Sequence, residues 1–263
     1  MGYEIAPWAL DVLKVFIGPL AGAFAGAMTA QGIAKRNAGT QRQLDELRAT
    51  NTAVSAASAV VATAAALKQQ HVRPMKQAYD KLCVERDAAQ QAGGVFHFPA
   101  DLETLPPFRT AAPLLEKLLY ERISPGRGVL GLLSIVVQSV GGVDDAIQDR
   151  NAIAAALKAR MPVQANDLAE IYFGLVTEHG STDLSFPNSL ESLVHNVDCI
   201  ILYGCVLATE LAKHAEGLAH NHKDFPPAEK VDFARLAKAD LIPEADEIDR
   251  AAFQNLNVIP DLP

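Results

Sequence analysis

The chain has 263 residues, of which 49% are hydrophobic and 21% are charged, and its formal net charge is −8. This length and this ordinary charge density exclude a disordered chain and are typical of one substantial domain with an appendage, or of two small domains. An acidic chain without a basic block is unsuited to nucleic acid, because neutralising phosphates needs clustered Lys and Arg, so we expect no nucleic-acid partner.

The composition also indicates the fold class. The 44 alanines and the aromatic content of only 6% favour helix over sheet, since Ala is the best helix former and strands prefer β-branched and aromatic residues. No stretch alternates apolar and polar residues between hairpin turns. We therefore expect an all-α fold. The cysteines Cys83, Cys199 and Cys205 form no CxxC pair, which favours a reducing compartment.

The first feature in chain order is an uncharged run at residues 15–34, VFIGPLAGAFAGAMTAQGIA. As an α-helix it would span about 30 Å, the thickness of the hydrocarbon core of a bilayer. Many of its residues are small and only weakly apolar. Its strongly apolar residues together contribute roughly −2 to −4 kcal/mol to the free energy of insertion. We predict a short tail and one transmembrane helix within residues 1–36. A cleaved signal peptide is the main alternative, but the acidic stretch before the run is the wrong kind of n-region.

The charges that flank this run predict its orientation. Glu4, Asp11 and Lys14 precede it, whereas the residues that follow it are basic: Lys35, Arg36, Arg42 and Arg48. Because basic residues stay on the cytoplasmic side, we expect a single-pass protein of the cell membrane with a short N-terminus outside and a cytoplasmic body.

Small residues recur every fourth position within the predicted span. They are Gly18, Gly22 and Gly26, continued by Ala30 and Ala34. Residues four apart share a helix face, and membrane helices associate through the close backbone approach that such a ridge allows. The ridge therefore predicts a homo-oligomer. The alternative is that an Ala- and Gly-rich segment produces this spacing by chance.

Residues 37–92 are predicted to form a long helical stalk, kinked near Arg73 by Pro74. The Ala-rich part of this segment, residues 49–67, is also uncharged, but its many Ser, Thr and Asn residues indicate a soluble helix. Its small Ala and Ser faces allow tight packing, including packing on the body. Asn51 lies at a seam position, where it either sets the register of a dimer or faces solvent.

The remainder of the chain predicts a helical body. Residues 93–109 contain three prolines and form a loop at the boundary, residues 110–240 form an antiparallel cytoplasmic helical bundle, and residues 241–263 form an acidic tail. A second uncharged run, residues 128–143, is short for a membrane span, so we interpret it as a buried core helix. A second crossing is the alternative.

Three weak constellations could carry chemistry. The first combines Glu210 and His214, four residues apart on one helix face, with His220 and His222 just beyond it. Imidazole and carboxylate groups bind zinc or iron, but cationic residues at a helix C-terminus are also favoured by the helix dipole, without any metal.

The other two constellations are weaker still. His195 and Cys199 share a helix face as a thiolate–imidazole pair would, although Cys is commonly a small buried hydrophobe. Asp144, Asp145 and Asp149 either bind a divalent ion or form a solvated face. The phosphate-binding, zinc-protease and nucleophile-elbow motifs are missing from the sequence. We therefore predict no catalytic residues and no cofactor.

These features together favour a membrane-anchored, self-associating interaction, scaffold or sensor protein, whose partners are the membrane, other copies of the chain and another protein. Two alternatives remain open. In the first, the assembled helices form an oligomeric channel or a membrane-disrupting effector that the body gates. In the second, the chain is a metal-dependent helical-bundle enzyme.

Overall fold

The computed structural model describes residues 7–94, 96, 99–160, 165–176, 180–220 and 224–244, and the side chains of 7–22, 25, 160 and 165–167 lie outside this description. The prediction of an all-helical chain is confirmed: in the described part, the one extended pairing is a single antiparallel bridge between Val176 and Thr182. The helices are α1 (Pro7–Leu67), a π-helical turn (Lys68–Val72), α2 (Arg73–Gln91), α3 (Ala112–Glu121), α4 (Arg127–Arg160), α5 (Ala165–Phe173), α6 (Ser185–His220) and α7 (Ala234–Lys238).

Helices α1 and α2 are continuous through the π-helical turn. Pro74 occupies the first turn of α2, and a proline has no N–H to donate to the preceding turn. The backbone accommodates this missing bond by widening the turn just before it, which is where α-helices commonly contain π-helical residues. The helix ends at Gln91, ahead of Gly93, whose φ of +66° favours glycine. The proline thus changes the winding of the helix without ending it.

The central core lies where α1 and α4 pack on α6. Residues later in α1 contact residues earlier in α6: Val61 lies against Gly204, and Lys68 pairs with Asp198. Helices α1 and α6 are therefore antiparallel. The core face of α1 consists of Leu47 and of alanines and valines, each at most 1% exposed. These are Ala53, Val54, Ala57, Val60, Val61 and Ala64. Most of the segment predicted as a stalk thus contributes to the core of the bundle.

Helix α4 contains the second uncharged run. Leu133, Val136 and Val143 are completely buried, and Gly142 lies so close to α6 that an added Cβ would come within 2.5 Å of the Asn196 amide. The apolar residues of this run therefore pack inside the protein.

The far end of the bundle has its own aromatic cluster. The Tyr172 and Phe186 rings stack with their centroids 4.5 Å apart, next to Tyr79. Arg150, only 1% exposed, donates to the backbone carbonyls of Asp101 and Glu103 and so fastens the loop before α3 onto α4. A buried guanidinium needs such partners, because an unpaired buried charge is costly.

Residues 224–244, which we call the C-terminal strap, run along α1. The Asn51 side chain donates to the Pro227 carbonyl at 3.0 Å and accepts from the Glu229 N–H at 2.9 Å. Asn51 is half-buried, and its amide is paired within its own chain. The one helix of the described strap, α7, has only five residues.

Gly204 marks the closest approach of α6 to α1, and its replacement by Ala is expected to destabilise the fold. A Cβ there would lie 2.6 Å from Val61 Cγ2, and a β-branched side chain cannot rotate away cheaply. We expect Gly204→Ala to lower the free energy of unfolding by about 1–3 kcal/mol, measured by urea denaturation. Gly217→Ala, on the same helix with open space around it, is the control and should stabilise by up to about 1 kcal/mol. Equal effects of the two changes would contradict this packing, whereas a smaller cost of Gly204→Ala in a Val61→Ala background would support it.

Candidate functional site: the uncovered half of the first helix

Helix α1 has an exposed stretch that precedes the part packed in the bundle. Among the described side chains of α1, Leu47 is the first that is fully buried, and every residue from 26 to 43 is exposed. We call residues 7–43 of α1, whose described side chains are all exposed, the protruding segment. Its exposed residues include Phe24 at 69%, Met28 at 59% and Ile33 at 55%. Exposed large apolar side chains close together on one helix mark a surface that contacts a partner or a membrane.

The predicted glycine ridge lies on this segment. Gly26, Ala30 and Ala34 are exposed, and a Cβ built on Gly26 would meet no other atom within 4 Å. Gly18 and Gly22 have helical backbone, but their surroundings lie outside the described residues. All five residues lie on the same helix, α1, at intervals of four residues. Contact between this ridge and another helix remains a prediction.

Basic residues follow the predicted span. Residues 35–46 form an exposed or half-exposed length of helix of about 18 Å, which carries Lys35, Arg36 and Arg42 and no acidic residue before Asp45. The bundle therefore begins at some distance from the end of the apolar run, and the helical spacer between them is basic.

Glu46 connects the protruding segment to the bundle. Its carboxylate accepts the Ser124 N–H at 2.9 Å and lies 3.2 Å from Nε2 of His214. One side chain thus joins α1 to the loop before α4 and to the end of α6. Sequence reasoning missed Glu46, because its partners lie 78 and 168 residues away and no local pattern indicates them.

The predicted metal ligands are not gathered into one cluster in the described part of the chain. His214 contacts Glu46, whereas Glu210 pairs with Lys213 at 2.8 Å. His220 is exposed at the end of α6, and His222 lies outside the described residues. Across the described ranges, no group of three or more His, Cys, Asp or Glu side chains is placed to hold a metal ion.

His195 and Cys199 do lie side by side, with Nε2 and Sγ 3.6 Å apart. Cys199 is only 1% exposed, and burial raises the pKa of its thiol to about 11. The sulfur is therefore protonated at neutral pH and is a poor nucleophile, since the thiolate is the reactive form. Among the aspartates, Asp144 accepts the Phe108 N–H at 3.2 Å, which gives it a structural role.

Among the described residues, three helical segments are long and apolar enough to cross a membrane, judged by length and composition: Gly26–Gln91, Arg127–Ala159 and Ser185–His220. Much of their apolar surface packs inside the bundle, as described above for α1, α4 and α6. Comparisons of the chain with protein-family models, with curated proteins and with solved structures found no match.

Removal of the Glu46 carboxylate is expected to weaken the connection between α1 and the bundle. Glu46→Ala leaves the Ser124 N–H and His214 without this partner, so we expect the free energy of unfolding to fall by about 1–3 kcal/mol in urea denaturation. Asp45→Ala is the matched control, because Asp45 is exposed and pairs only with exposed neighbours of its own helix, Gln41 and Arg48. We expect it to cost at most about 0.5 kcal/mol. Similar losses for both variants would contradict the role of Glu46.

Proposed function

We propose that the chain is a single-pass, membrane-anchored helical scaffold, with residues 15–34 of the protruding segment in the bilayer and the bundle held in water beside it. The observation that carries this proposal is the exposure of α1 from residue 26 to residue 43, together with the exposed apolar side chains of Phe24, Met28 and Ile33. An isolated helix of this kind gains little from its own hydrogen bonds in water, so it needs a surrounding that covers its apolar side chains.

A bilayer fits this requirement best. The uncharged run at residues 15–34 has the length of the hydrocarbon core, and every backbone group of a helix is satisfied internally, as lipid demands. Helices α4 and α6 have comparable apolar runs, but Leu133, Val136, Ile200 and Ile201 are fully buried inside the bundle. Moving those helices into lipid would separate apolar side chains that already pack against one another in the bundle. This packing supports a single crossing.

Charge supports an orientation with the bundle in the cytoplasm. Lys35, Arg36 and Arg42 lie on the exposed spacer between the apolar run and the bundle, where the positive-inside rule requires them. The residues before the run include Glu4 and Asp11. This arrangement places the residues that precede the run outside.

Self-association through the glycine ridge completes the proposed function. Lipid provides no hydrophobic drive between helices, so association depends on close backbone packing at small residues such as Gly22 and Gly26. The helix that bears the ridge continues without a break into the core of the bundle. Pairing of two anchors would therefore bring two bundles together. The paired bundles would then present their surfaces to a partner protein.

The anchor is tested by placing charge in the run. Arg residues at the centre of a span cost about 2.5–3.5 kcal/mol each, more in total for two than the insertion drive of the whole run. We expect Leu20→Arg with Phe24→Arg to move the protein from the alkali-resistant membrane fraction to the soluble fraction. The control, Leu20→Ile with Phe24→Leu, should remain in the membrane.

A soluble unmodified protein would refute the anchor outright. The orientation is measured on sealed cells that contain the unmodified protein. Protease added to the outside of these cells should leave the bundle intact. Digestion of the bundle under those conditions would reverse the proposed orientation.

The ridge is tested by adding bulk to it. Gly22→Leu with Gly26→Leu fills the groove, and we expect self-association in bilayers, measured by energy transfer between labelled copies, to weaken at least about tenfold. Ala23→Leu with Ala27→Leu places the same leucine side chains about 100° around the helix and should change association little. Equal loss in both variants, or no loss in either, would contradict association through this face.

A further inference from the structure

The C-terminal strap covers a seam of the bundle with mostly irregular backbone. The apolar side chains of Val231, Phe233 and Leu236 pack half-buried against the central core, and Leu241 is 3% exposed. At its far end, Ile242 packs against Cys199 and Leu202 of α6. The five residues of α7 are its one helix within the described range. The strap therefore adds apolar cover without adding a long helix to the fold.

Polar contacts hold the strap near its two ends. Asn51 pairs with the backbone at Pro227 and Glu229, as described above. Near the other end, Lys68 Nζ donates to the Leu241 carbonyl at 3.1 Å while it pairs with Asp198 at 2.7 Å. Arg73 contacts both the carbonyl and the carboxylate of Asp240. All of these holding side chains belong to the bundle, and most of what they hold in the strap is main chain. Such contacts fix the path of a segment with little dependence on its side chains.

The middle of the strap packs its apolar side chains on the core but leaves a groove beside α1. A groove of about 510 Å³ separates it from α1, lined on the helix by Ser55, Ser58 and Ala62. Glu229, Lys230, Asp232 and Arg235 are exposed. Asp240, close to the second holding point, has a φ of 53°, a left-handed conformation that a residue with a side chain disfavours. Segments with few buried contacts and much exposed backbone open before the core does.

We propose that the C-terminal strap is a releasable cover, which detaches from α1 and α6 as a unit while the bundle stays folded. Its release uncovers the seam around Cys199 and Leu202 and the apolar contacts of Val231 and Phe233. The bundle would thus have a closed state and an open state that presents an additional apolar surface. The strap and the membrane anchor are separate features, and each can exist without the other.

Two cysteines of α6 provide the readout. Cys199 belongs to the small cluster with Leu202 against which Ile242 packs, and Cys205 lies in the central core. Burial raises the pKa of the two thiols to about 11 and about 12, so neither thiol reacts until its cover opens. The full chain is compared as Cys83→Ala with Cys205→Ala, which leaves Cys199, and as Cys83→Ala with Cys199→Ala, which leaves Cys205.

We expect a thiol reagent to label Cys199 at least about tenfold faster than Cys205, with a weaker dependence on urea, because local opening exposes less surface than global unfolding. Asn51→Ala should accelerate the labelling of Cys199 by about fivefold or more, since it removes two hydrogen bonds to the strap. Thr52→Ala is the matched control, because its hydroxyl bonds only within α1, and should change the rate less than about twofold. Equal rates and equal urea dependence at both cysteines would overturn the proposal.

Hydrogen exchange of the unmodified chain, followed by mass spectrometry, gives a second measurement that needs no cysteine replacement. Peptides from residues 229–242 should exchange faster than peptides from residues 195–212, and Asn51→Ala should accelerate only the former. Exchange of both regions at the same rate would show that the strap opens only when the bundle unfolds, which would overturn the proposal.

Discussion

The pairing of α1 with α6 is the constraint on which the rest of the structure depends. Helix α6 has 36 residues and α1 has 61, which correspond to about 54 Å and about 92 Å of helix. The shorter helix cannot cover the longer one, so once Lys68 meets Asp198 and Val61 meets Gly204, residues 26–43 of α1 are left exposed. The uncovered segment is thus a direct result of where these two helices are in register.

Small residues set that register. The buried face of α1 is largely Ala and Val, and Gly204 has no side chain, so the two helices approach closely and dispersion contacts accumulate along the seam. Polar contacts then fix the two ends of the shared length. Glu46 joins α1 to His214 near the protruding segment, and Lys68 meets Asp198 beside the π-helical turn. A shift of one helix turn along this seam would leave those charged groups without their partners.

The apolar helical segments of this chain differ in how far the bundle covers them. Helix α4 carries more strongly apolar residues than the run at residues 15–34, yet Leu133 and Val136 are directed into the core. Phe24 and Ile33, on the more weakly apolar run, are exposed. Whether an apolar helix forms a core or crosses a membrane therefore depends on whether other helices of the same chain cover it, and hydropathy does not report that.

The sequence by itself determined the features that depend on neighbours along the chain. The Ala-rich composition predicted helices, the prolines of residues 93–109 indicated a loop, and Pro74 indicated the disturbance near Arg73, because each of these effects acts within one or two turns. Only the tertiary structure decided that residues 47–82 belong to the bundle core, that Asn51 holds the strap and that Glu46 bonds to Ser124 and His214. Those contacts join residues far apart in sequence, and a single side chain in a helix looks the same whether its partner is water, lipid or a distant backbone amide.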